Sequence, residues 1–358
     1  MMKRFGMLSL MVLMSLATYA DDVDSVRVET PKPKEYKGIA KAYHKVYDFF
    51  DAFFTNYDTT YISPDKYNLT ALAQNTNYIQ AYRLRTKGED GKRILTFRPT
   101  PTVSIGPYFG YGIIFGGYEF DVVGKSKLRT SWNLSLYTNP VGVDFVFMKN
   151  KGDFTLQKTE GFEGVSKWQY KGTKLPNAKS KFWSLNFYYV LNHKKFSFPA
   201  VYSQSTQQLK SAGSVIFGLR FDHQNFFFDN DEMPAELPKQ IKDDMDFENI
   251  RYNCYSLSAG YGYNWVFAKN WCLGASFAPA IGLTTLKNDD IEDPNKFHYS
   301  YNVSFDAVGR VGIVYNNSKW VAGASLISHL YDYRTKSIAL TNSLNYLNLY
   351  VGYYFWRK

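Results

Sequence analysis

Cysteine is scarce in this sequence, and no long apolar run occurs beyond its first residues. The two cysteines, Cys254 and Cys272, lie in strands expected to share a turn near 269–270, roughly 40 Å apart at ~3.3 Å per residue. A disulfide requires α-carbons within about 7 Å, so we expect this pair to stay unbridged. No segment after residue 20 approaches about 18 consecutive apolar residues, which excludes a membrane-spanning helix there.

The first 20 residues have the three parts of a secretory signal peptide. Lys3 and Arg4 form a basic start, residues 7–16 are apolar, and residues 17–20 are a small-residue cleavage segment. The apolar stretch is too short to cross about 30 Å of hydrocarbon as a helix. We therefore expect export and cleavage after Ala20.

Apolar and polar residues alternate with period two through the C-terminal two-thirds of the chain. In the last predicted strand, 344–356, Leu347, Leu349 and Val351 share one face, and Asn348 lies on the other. Such strands here are long and aromatic at both ends. This favours a closed transmembrane barrel, with lipid outside and a polar lumen, over a soluble sandwich. The mean hydropathy of −0.34 agrees, because half of every barrel strand is polar.

Two segments precede the strands. Residues 21–37 are charged and contain two prolines, which is typical of a flexible lead-in. In residues 39–54 apolar side chains recur every three or four positions, which predicts an amphipathic helix on the inner leaflet or in the periplasmic mouth. We therefore divide the chain into a signal peptide (1–20), a periplasmic lead-in with this helix (21–60) and an outer-membrane β-barrel (61–358).

The connections between predicted strands alternate between short and long. Short turns are expected at 124–126, 193–195, 269–270 and 316–318, and long connections at 151–180, 230–250 and 287–296. Periplasmic turns and surface loops sort in this way in transmembrane barrels. The predicted fold is all-β, a transmembrane antiparallel up-and-down barrel of about 12 strands. Within it, 127–138 is one strand with an extension over 141–148, and another strand begins at 196.

Aromatic residues and positive charge are abundant. Aromatic residues make up 18% of the chain, including 30 tyrosines, and Tyr and Trp suit the boundary between water and lipid. The net charge of +10 is accompanied by no basic helix or stacking motif, so no nucleic-acid partner is expected. Attraction to outer-membrane lipids, including lipopolysaccharide, explains the charge better. Protein partners are left open.

Several short phrases carry a family resemblance. They are 58–62 (DTTYI), 67–70 (YNLT), 95–99 (LTFRP), 196–198 (FSF) and, most specifically, 208–214 (QLKSAGS). Together they resemble a family of Bacteroidetes outer-membrane proteins described only as a domain of unknown function. The resemblance covers roughly residue 58 to the C-terminus. It implies a barrel in the outer membrane, and it implies no activity or catalytic residue.

Eight charged residues occupy the alternate strand positions whose side chains are predicted to point into the barrel, which we call the inward parity. They are Glu119, Asp121, Arg129, Asp144, Arg220, Asp222, Asp306 and Arg310. Arg or Lys on the lipid face would cost about 2–4 kcal/mol at the bilayer midplane, so these residues must face inward. We expect a lumen-filling network of ion pairs, with a solute path as the alternative. Asp306 and Arg310 are ~13 Å apart along their strand. Each is therefore expected to pair with another strand, Arg220 and Asp222 being candidates.

Catalytic and metal sites are not predicted. His298 and His329 lie near Ser300 and Ser328 in sequence, but no strained nucleophile motif accompanies them. The acidic connections lack EF-hand spacing, so solvated charge explains them better than Ca²⁺. No cofactor is expected. The expected function is a non-enzymatic barrel, either a narrow channel or a plugged structural protein. The alternative is an outer-membrane lipid hydrolase or acyl-modifying enzyme with a site at the rim.

Overall fold

The computed structural model describes residues 53–54, 56–64, 67–88, 91–111, 114–124, 129–240, 249–289, 297–334 and 338–357. The predicted signal peptide and nearly all of the predicted amphipathic helix lie outside these residues. The described part contains one helical turn, α1 (Pro199–Tyr202), two 3-10 turns (Asn230–Glu232 and Pro238–Gln240) and eighteen strands. The strands are β1 (Ile62–Pro64), β2 (Tyr67–Gly88), β3 (Gly91–Pro99), β4 (Thr102–Tyr111), β5 (Ile114–Gly117), β6 (Phe120–Val123), β7 (Arg129–Tyr137), β8 (Val141–Lys151), β9 (Phe154–Glu160), β10 (Lys174–Leu175), β11 (Lys179–Val190), β12 (Thr206–Gln208), β13 (Ala212–Phe227), β14 (Asn249–Ala268), β15 (Trp271–Asp289), β16 (Phe297–Asn316), β17 (Trp320–Arg334) and β18 (Ile338–Arg357).

Sixteen of these strands form one antiparallel sheet. Its main order is β10-β9-β3-β2-β18-β17-β16-β15-β14-β13-β11-β8-β7, and β4 joins beside β2 together with β5 and β6. The first and last long strands are neighbours, because β2 pairs with β18 from Tyr67↔Arg357 to Thr86↔Ile338. The two remaining strands, β1 and β12, pair with each other outside this sheet. The fold is therefore all-β and antiparallel.

The large sheet curls strongly on itself. Tyr82 on β2 and Phe226 on β13 have ring centroids 5.0 Å apart, although five strands separate β2 from β13 in the sheet order. In a flat sheet with ~4.8 Å between strands, these positions would be about 29 Å apart. The sheet therefore encloses an interior and presents its other face outward.

The two faces differ as the period-two pattern predicts. Five apolar residues predicted to face lipid each expose between 46% and 62% of their surface: Trp265, Phe277, Ile281, Val303 and Leu349. On the inward parity, Ser256, Asp306 and Arg310 are buried and Asn302 is half-buried. The polar residues thus line the enclosed side, and the apolar residues form the outer surface.

The two ends of the sheet also differ. One end, the turn end, carries the connections at 138–140, 269–270 and 317–319, and the opposite loop end carries 152–178 and 228–248. Aromatic rings cluster on the outer surface at the turn end, where Trp265 contacts Phe267 (centroids 5.4 Å apart) and Trp271 contacts Tyr315 (5.2 Å). The aromatic positions on the outer surface therefore mark the turn end.

The structure corrects one predicted strand. The sequence pattern predicts one strand over 127–138 with an extension to 148, whereas β7 and β8 are separate strands paired as a hairpin from Arg129↔Asn150 to Tyr137↔Gly142. The chain reverses at residues 138–140, where Thr138 N donates to Val141 O at 2.9 Å. Pro140 cannot donate to a strand ladder, which is consistent with a turn at this point.

A second correction concerns the predicted short turn at 193–195 and the predicted strand from 196. The connection between β11 and β13 instead runs over residues 191–211, which we name the inserted segment. It contains α1 and β12, and Phe196, Phe198 and Val201 in it are at most 1% exposed. The inserted segment therefore folds into the enclosed interior at the turn end.

Two further sequence expectations concern helices and cysteines. No helix within the described ranges is long and apolar enough to cross a membrane. Cys254 and Cys272 are both free, as predicted, and both are buried.

Candidate functional site

Three of the predicted inward charges meet in the middle of the interior. Arg220 Nε lies 2.9 Å from Asp222 Oδ2, and Arg220 Nη2 lies 2.6 Å from Asp306 Oδ2. Asp306 also accepts hydrogen bonds from Ser256 Oγ (2.8 Å) and from the backbone N–H of Asp332 (2.9 Å). One guanidinium therefore joins two buried carboxylates from different strands.

Small side chains on the intervening strands make this contact feasible. Arg220 is level with Ser256 on β14, which is level with Gly282 on β15. A Cβ added at Gly282 would come within 2.7 Å of both Cys254 Sγ and Ser256 Oγ. Larger residues in this row would therefore occupy the space beside the ion pairs.

A second ion pair crosses the interior. Arg310 Nη2 on β16 lies 2.8 Å from Asp144 Oδ2 on β8, with four strands between them in the sheet order. Asp144 also accepts hydrogen bonds from Tyr137 (2.5 Å) and Ser135 (2.8 Å). Both ion-pair partners are at most 6% exposed, so this contact connects opposite walls away from bulk water.

The other three predicted charges lie together near one edge of the sheet. Arg129 on β7 contacts Thr102 on β4 and lies 3.9 Å from Asp121 on β6. Glu119 is half-buried and accepts a hydrogen bond from Thr76 Oγ1 at 2.5 Å. The eight charges thus form two central groups and one group at the β4–β7 edge.

His329 lies beside the central groups and has no hydroxyl partner for hydrolysis. Its ring is buried and stacked on Tyr331 with centroids 5.8 Å apart. Ser328 is the adjacent strand residue, so it faces the opposite side of the sheet, where it donates to Asn345 at 2.6 Å. The side chains of His298 and Ser300 lie outside the described residues. Ser328 and His329 therefore do not form a nucleophile–base pair.

A cavity of about 20 Å³ opens next to the Asp144–Arg310 ion pair, with His329 and Tyr346 also in its lining. The Arg310 Nε, His329 Nδ1 and Tyr346 hydroxyl groups each lack a hydrogen-bond partner among the described residues. A space of this size holds about one water molecule, and such a water needs two to four polar partners. The cavity beside the Asp144–Arg310 ion pair therefore has room for about one water molecule.

The interior is closed at the loop end by a cluster of aromatic rings that we name the outer cap. Its largest members are Tyr82, Phe97, Phe154, Phe226 and Phe228, each at most 1% exposed. Phe97 lies 5.2 Å from Phe226 and 5.4 Å from Phe228 between ring centroids. These rings come from β2, β3, β9 and β13 and from the residue after β13, so they join distant parts of the sheet over its interior.

The inserted segment closes the interior at the turn end. Asn264 Nδ2 donates to Ser197 O at 2.7 Å, and the Tyr354 hydroxyl donates to Gln204 O at 2.6 Å. Val201 packs where the wall has no side chain, since a Cβ at Gly274 or Gly312 would come within 2.8 or 2.7 Å of it. The two glycines therefore form the recess that receives α1.

One group of potential metal ligands exists in the described part of the chain. Asp222, Cys254 and Asp306 place one ligand atom each within 4.8 Å of one another. Arg220 already lies against both carboxylates. A cation here would have to compete with a guanidinium, so the residues fit an ion-pair network better than a metal centre.

A large apolar groove lies on the opposite, outward face. Its volume is about 1130 Å³, and its lining includes Phe187, Leu219, Leu257, Ile281 and Phe305. The β14–β15 ladder is interrupted beside it between the pairs Ser258↔Ala280 and Tyr261↔Phe277. Pro279 explains the interruption, because proline has no N–H to donate. The groove opens on the apolar outer surface, and its lining also includes Ser258 and Asp306 from the inward parity of the strands.

Comparison with known proteins gives a family and distant structural neighbours. Residues 56–355 match the model of the family described as a domain of unknown function, DUF4421. No curated protein matches the chain.

Three solved structures illustrate the neighbours, which are outer-membrane β-barrels. The translocator domain of the autotransporter NalP from Neisseria meningitidis is 10% identical, covers 88% of this chain and 96% of its own, and has a TM-score of 0.28. Outer-membrane expressed OmpT of Vibrio cholerae is 9% identical. The match covers 80% of this chain and 98% of the OmpT chain, with a TM-score of 0.26. The P. putida toluene transporter TodX is 8% identical. The match covers 80% of this chain and 91% of the TodX chain, with a TM-score of 0.24.

These TM-scores carry no argument about this chain, whose fold is established by its own strand register. The family match is different, because it spans most of the sequence and includes every phrase that carries the resemblance. The chain belongs to the DUF4421 family.

Proposed function

We propose that the protein is an integral outer-membrane β-barrel without enzymatic activity, whose lumen is plugged by its own residues. The observation that carries this proposal is the filled interior. Outer cap, central ion pairs and inserted segment follow one another from the loop end to the turn end. Each is built from residues that are almost fully buried.

The outer surface supports a membrane location. On β14 the outward residues from Tyr255 to Trp265 are uncharged, and the next outward residues beyond Tyr255 are Asn253 and Arg251. The ten residue steps from Tyr255 to Trp265 rise ~33 Å along the strand, or about 25 Å along the membrane normal at a tilt of ~40°. This matches the apolar band of about 25 Å between two aromatic girdles in transmembrane barrels.

The proposed barrel has twelve passes. β3 and β4 count as one interrupted pass, because both pair with successive parts of β2. β5 and β6 count as one, because both pair with β4. The others are β2, β7, β8, β11 and β13 to β18. The barrel closes between β6 and β7, where within the described ranges β7 pairs only with β8, and Arg129 reaches Asp121 across the gap.

The remaining parts of the proposal follow from the sequence. The signal peptide (1–20) is removed on export, and residues 21–60 lie in the periplasm. The basic charge favours contact with anionic outer-membrane lipids, including lipopolysaccharide. Bacteroidetes origin stays a prediction that rests on the resemblance.

A channel and a hydrolase would each require structural features that differ from those of a plugged barrel. A narrow channel requires a continuous water path, whereas the central cavity holds about one water. A rim hydrolase requires a nucleophile, base and orienting group within hydrogen-bond reach, and Ser328 and His329 face opposite sides. Both demands favour the plugged barrel.

Fractionation of cells that express the full chain tests the location. We expect the mature protein in the outer-membrane fraction, with a folded form that migrates differently on gels before and after heating, because closed barrels resist detergent unfolding. Recovery as a soluble periplasmic protein would overturn the proposal.

A further inference from the structure

The connection between β9 and β11 at the loop end is a well-defined hairpin. Leu156 N donates to Thr173 O at 2.9 Å, and Gly172 N donates to Leu156 O at 2.8 Å. In its returning arm, residues 166–171, which we name the rim turn, Lys167 O accepts from Thr159 N at 3.1 Å and Trp168 O accepts from Lys171 N at 3.1 Å. The backbone of the rim turn is therefore fixed by its own hydrogen bonds.

The hairpin is also attached to the connection between β13 and β14. Glu163 N donates to Gln240 Oε1 at 2.7 Å, and Gln240 Nε2 donates back to Glu163 O at 3.0 Å. The Tyr170 hydroxyl donates to Glu236. The rim turn is thus held in place before any ligand arrives, which lowers the entropic cost of binding.

The rim turn presents an exposed tryptophan among lysines. Trp168 exposes 56% of its surface. The Nζ atoms of Lys158, Lys167 and Lys171 lie 5.9, 5.6 and 5.7 Å from its ring centroid. An amine near the face of an indole is attracted to its π electrons, so the lysines are kept close to the ring.

The charges around the ring are strongly unbalanced. Glu160 contacts Lys158 Nζ (2.7 Å), Arg83 Nη2 (3.3 Å) and Lys167 Nζ (3.6 Å). The hydrogen bond from Lys158 is the main cause that lowers the pKa of the Glu160 carboxyl, so this group stays ionised at neutral pH. With Lys171, four cations and one carboxylate leave a net charge of +3.

Trp168 lies outside the buried cluster that anchors the hairpin. The same hairpin is anchored by Leu175 and Ala178, which are fully buried in the outer cap's cluster, and by Phe162, which is 6% exposed. Trp168 contributes little to that cluster, since more than half of its surface is exposed. Tryptophan is enriched among the few residues that dominate the binding energy of protein interfaces.

We propose that the rim turn is a binding site for an anionic saccharide, with a sugar ring packed on Trp168 and its phosphate or sulfate groups held by the surrounding lysines. Lysine ammonium groups form charge-assisted hydrogen bonds to such anions. The flat indole adds an apolar surface for the C–H face of a sugar ring, which a polyanion without rings could not use. The ligand is either the phosphorylated core of lipopolysaccharide or a soluble sulfated glycan.

Binding measurements on the purified full-length protein in detergent test this site without depending on the membrane proposal. Heparin probes the sulfated source, and lipopolysaccharide, intact or dephosphorylated, probes the membrane source. We expect one of the two anionic ligands to bind, with affinity falling as salt rises. Trp168→Ala and the double variant Lys167→Ala/Lys171→Ala should each weaken that binding about tenfold.

Matched variants separate a built site from general attraction to positive charge. Lys174→Ala removes one charge from the same hairpin outside the set of amines around the ring, and it should weaken binding less than about twofold. Trp168→Phe should retain most of the affinity. Equal losses in Trp168→Ala and Lys174→Ala, equal binding of a neutral dextran, or no binding of either anionic ligand would overturn the site. An unchanged gel shift on heating verifies that each variant is folded.

Discussion

At the scale of single residues, the interior charges show what the sequence can and cannot predict. Alternation places Asp144 and Arg310 on the inward face, because charge on the lipid side is costly. Their pairing cannot be predicted, since they lie 166 positions apart in the chain. It depends on the curl of the sheet, which no local pattern encodes.

Arg310→Ala should lower the stability of the folded barrel. It leaves the Asp144 carboxylate buried with only neutral donors, and breaking a buried pair costs about 3–5 kcal/mol. The lower end is expected here, since Ser135 and Tyr137 still donate to Asp144. The temperature at which the heat-dependent gel shift occurs measures this loss.

The double variant Asp144→Leu/Arg310→Met is the control for this prediction. Removing both charges leaves no unpaired ion, so it should be clearly more stable than Arg310→Ala. If the single and double variants lose equal stability, the pair is hydrated and does not hold the walls together.

A second prediction at the scale of residues concerns which side chains of β16 face lipid and which face the interior. Val303 is 54% exposed on the outward face, and its neighbour Asn302 lies on the inward parity. Val303→Arg should impair membrane insertion, at a cost of about 2–4 kcal/mol near the midplane, whereas Asn302→Arg should insert almost normally. The folded fraction in liposomes measures both, and equal tolerance would show that the outer face does not contact lipid.

At the scale of elements, the strands from β14 to β18 are predicted well and the inserted segment is not. The sequence predicts the last strand at 344–356, and the structure has Ile338–Arg357. Period two persists there because one face is apolar throughout. In the inserted segment, Phe196 and Phe198 imitate the start of a strand, but Pro199 ends the pattern. The recess at Gly274 and Gly312 that receives Val201 exists only in the folded sheet.

The two native cysteines lie beneath different closures and can report on each. Cys272 packs in a cluster with Val201 of the inserted segment, and Cys254 packs in the cluster of the outer cap. A charged maleimide should modify neither thiol in the folded protein, because both are buried.

Disruption of one closure should expose one cysteine. Val201→Asp places a charge in the recess, so Cys272 should react and Cys254 should stay protected. Phe226→Ala opens the outer cap and should give the opposite result. Mass spectrometry of labelled peptides distinguishes the two sites. Rapid labelling of both cysteines in the folded, unmodified protein would show that the interior is open to water.

At the scale of the whole molecule, the central claim is that a membrane-spanning barrel is sealed by its own residues. Its parts are connected through the interior, since the central ion pairs join opposite walls and the inserted segment is held by β14 and β18. Closure therefore belongs to the folded state itself.

Electrical recording across a planar lipid bilayer tests this claim most directly. Purified full-length protein is inserted, and the heat-dependent gel shift of the same preparation verifies that it is folded. We predict no current steps above the bare-bilayer baseline, because the central cavity holds about one water and both ends are closed. Reproducible steps of uniform size from the folded, unmodified protein would contradict the account.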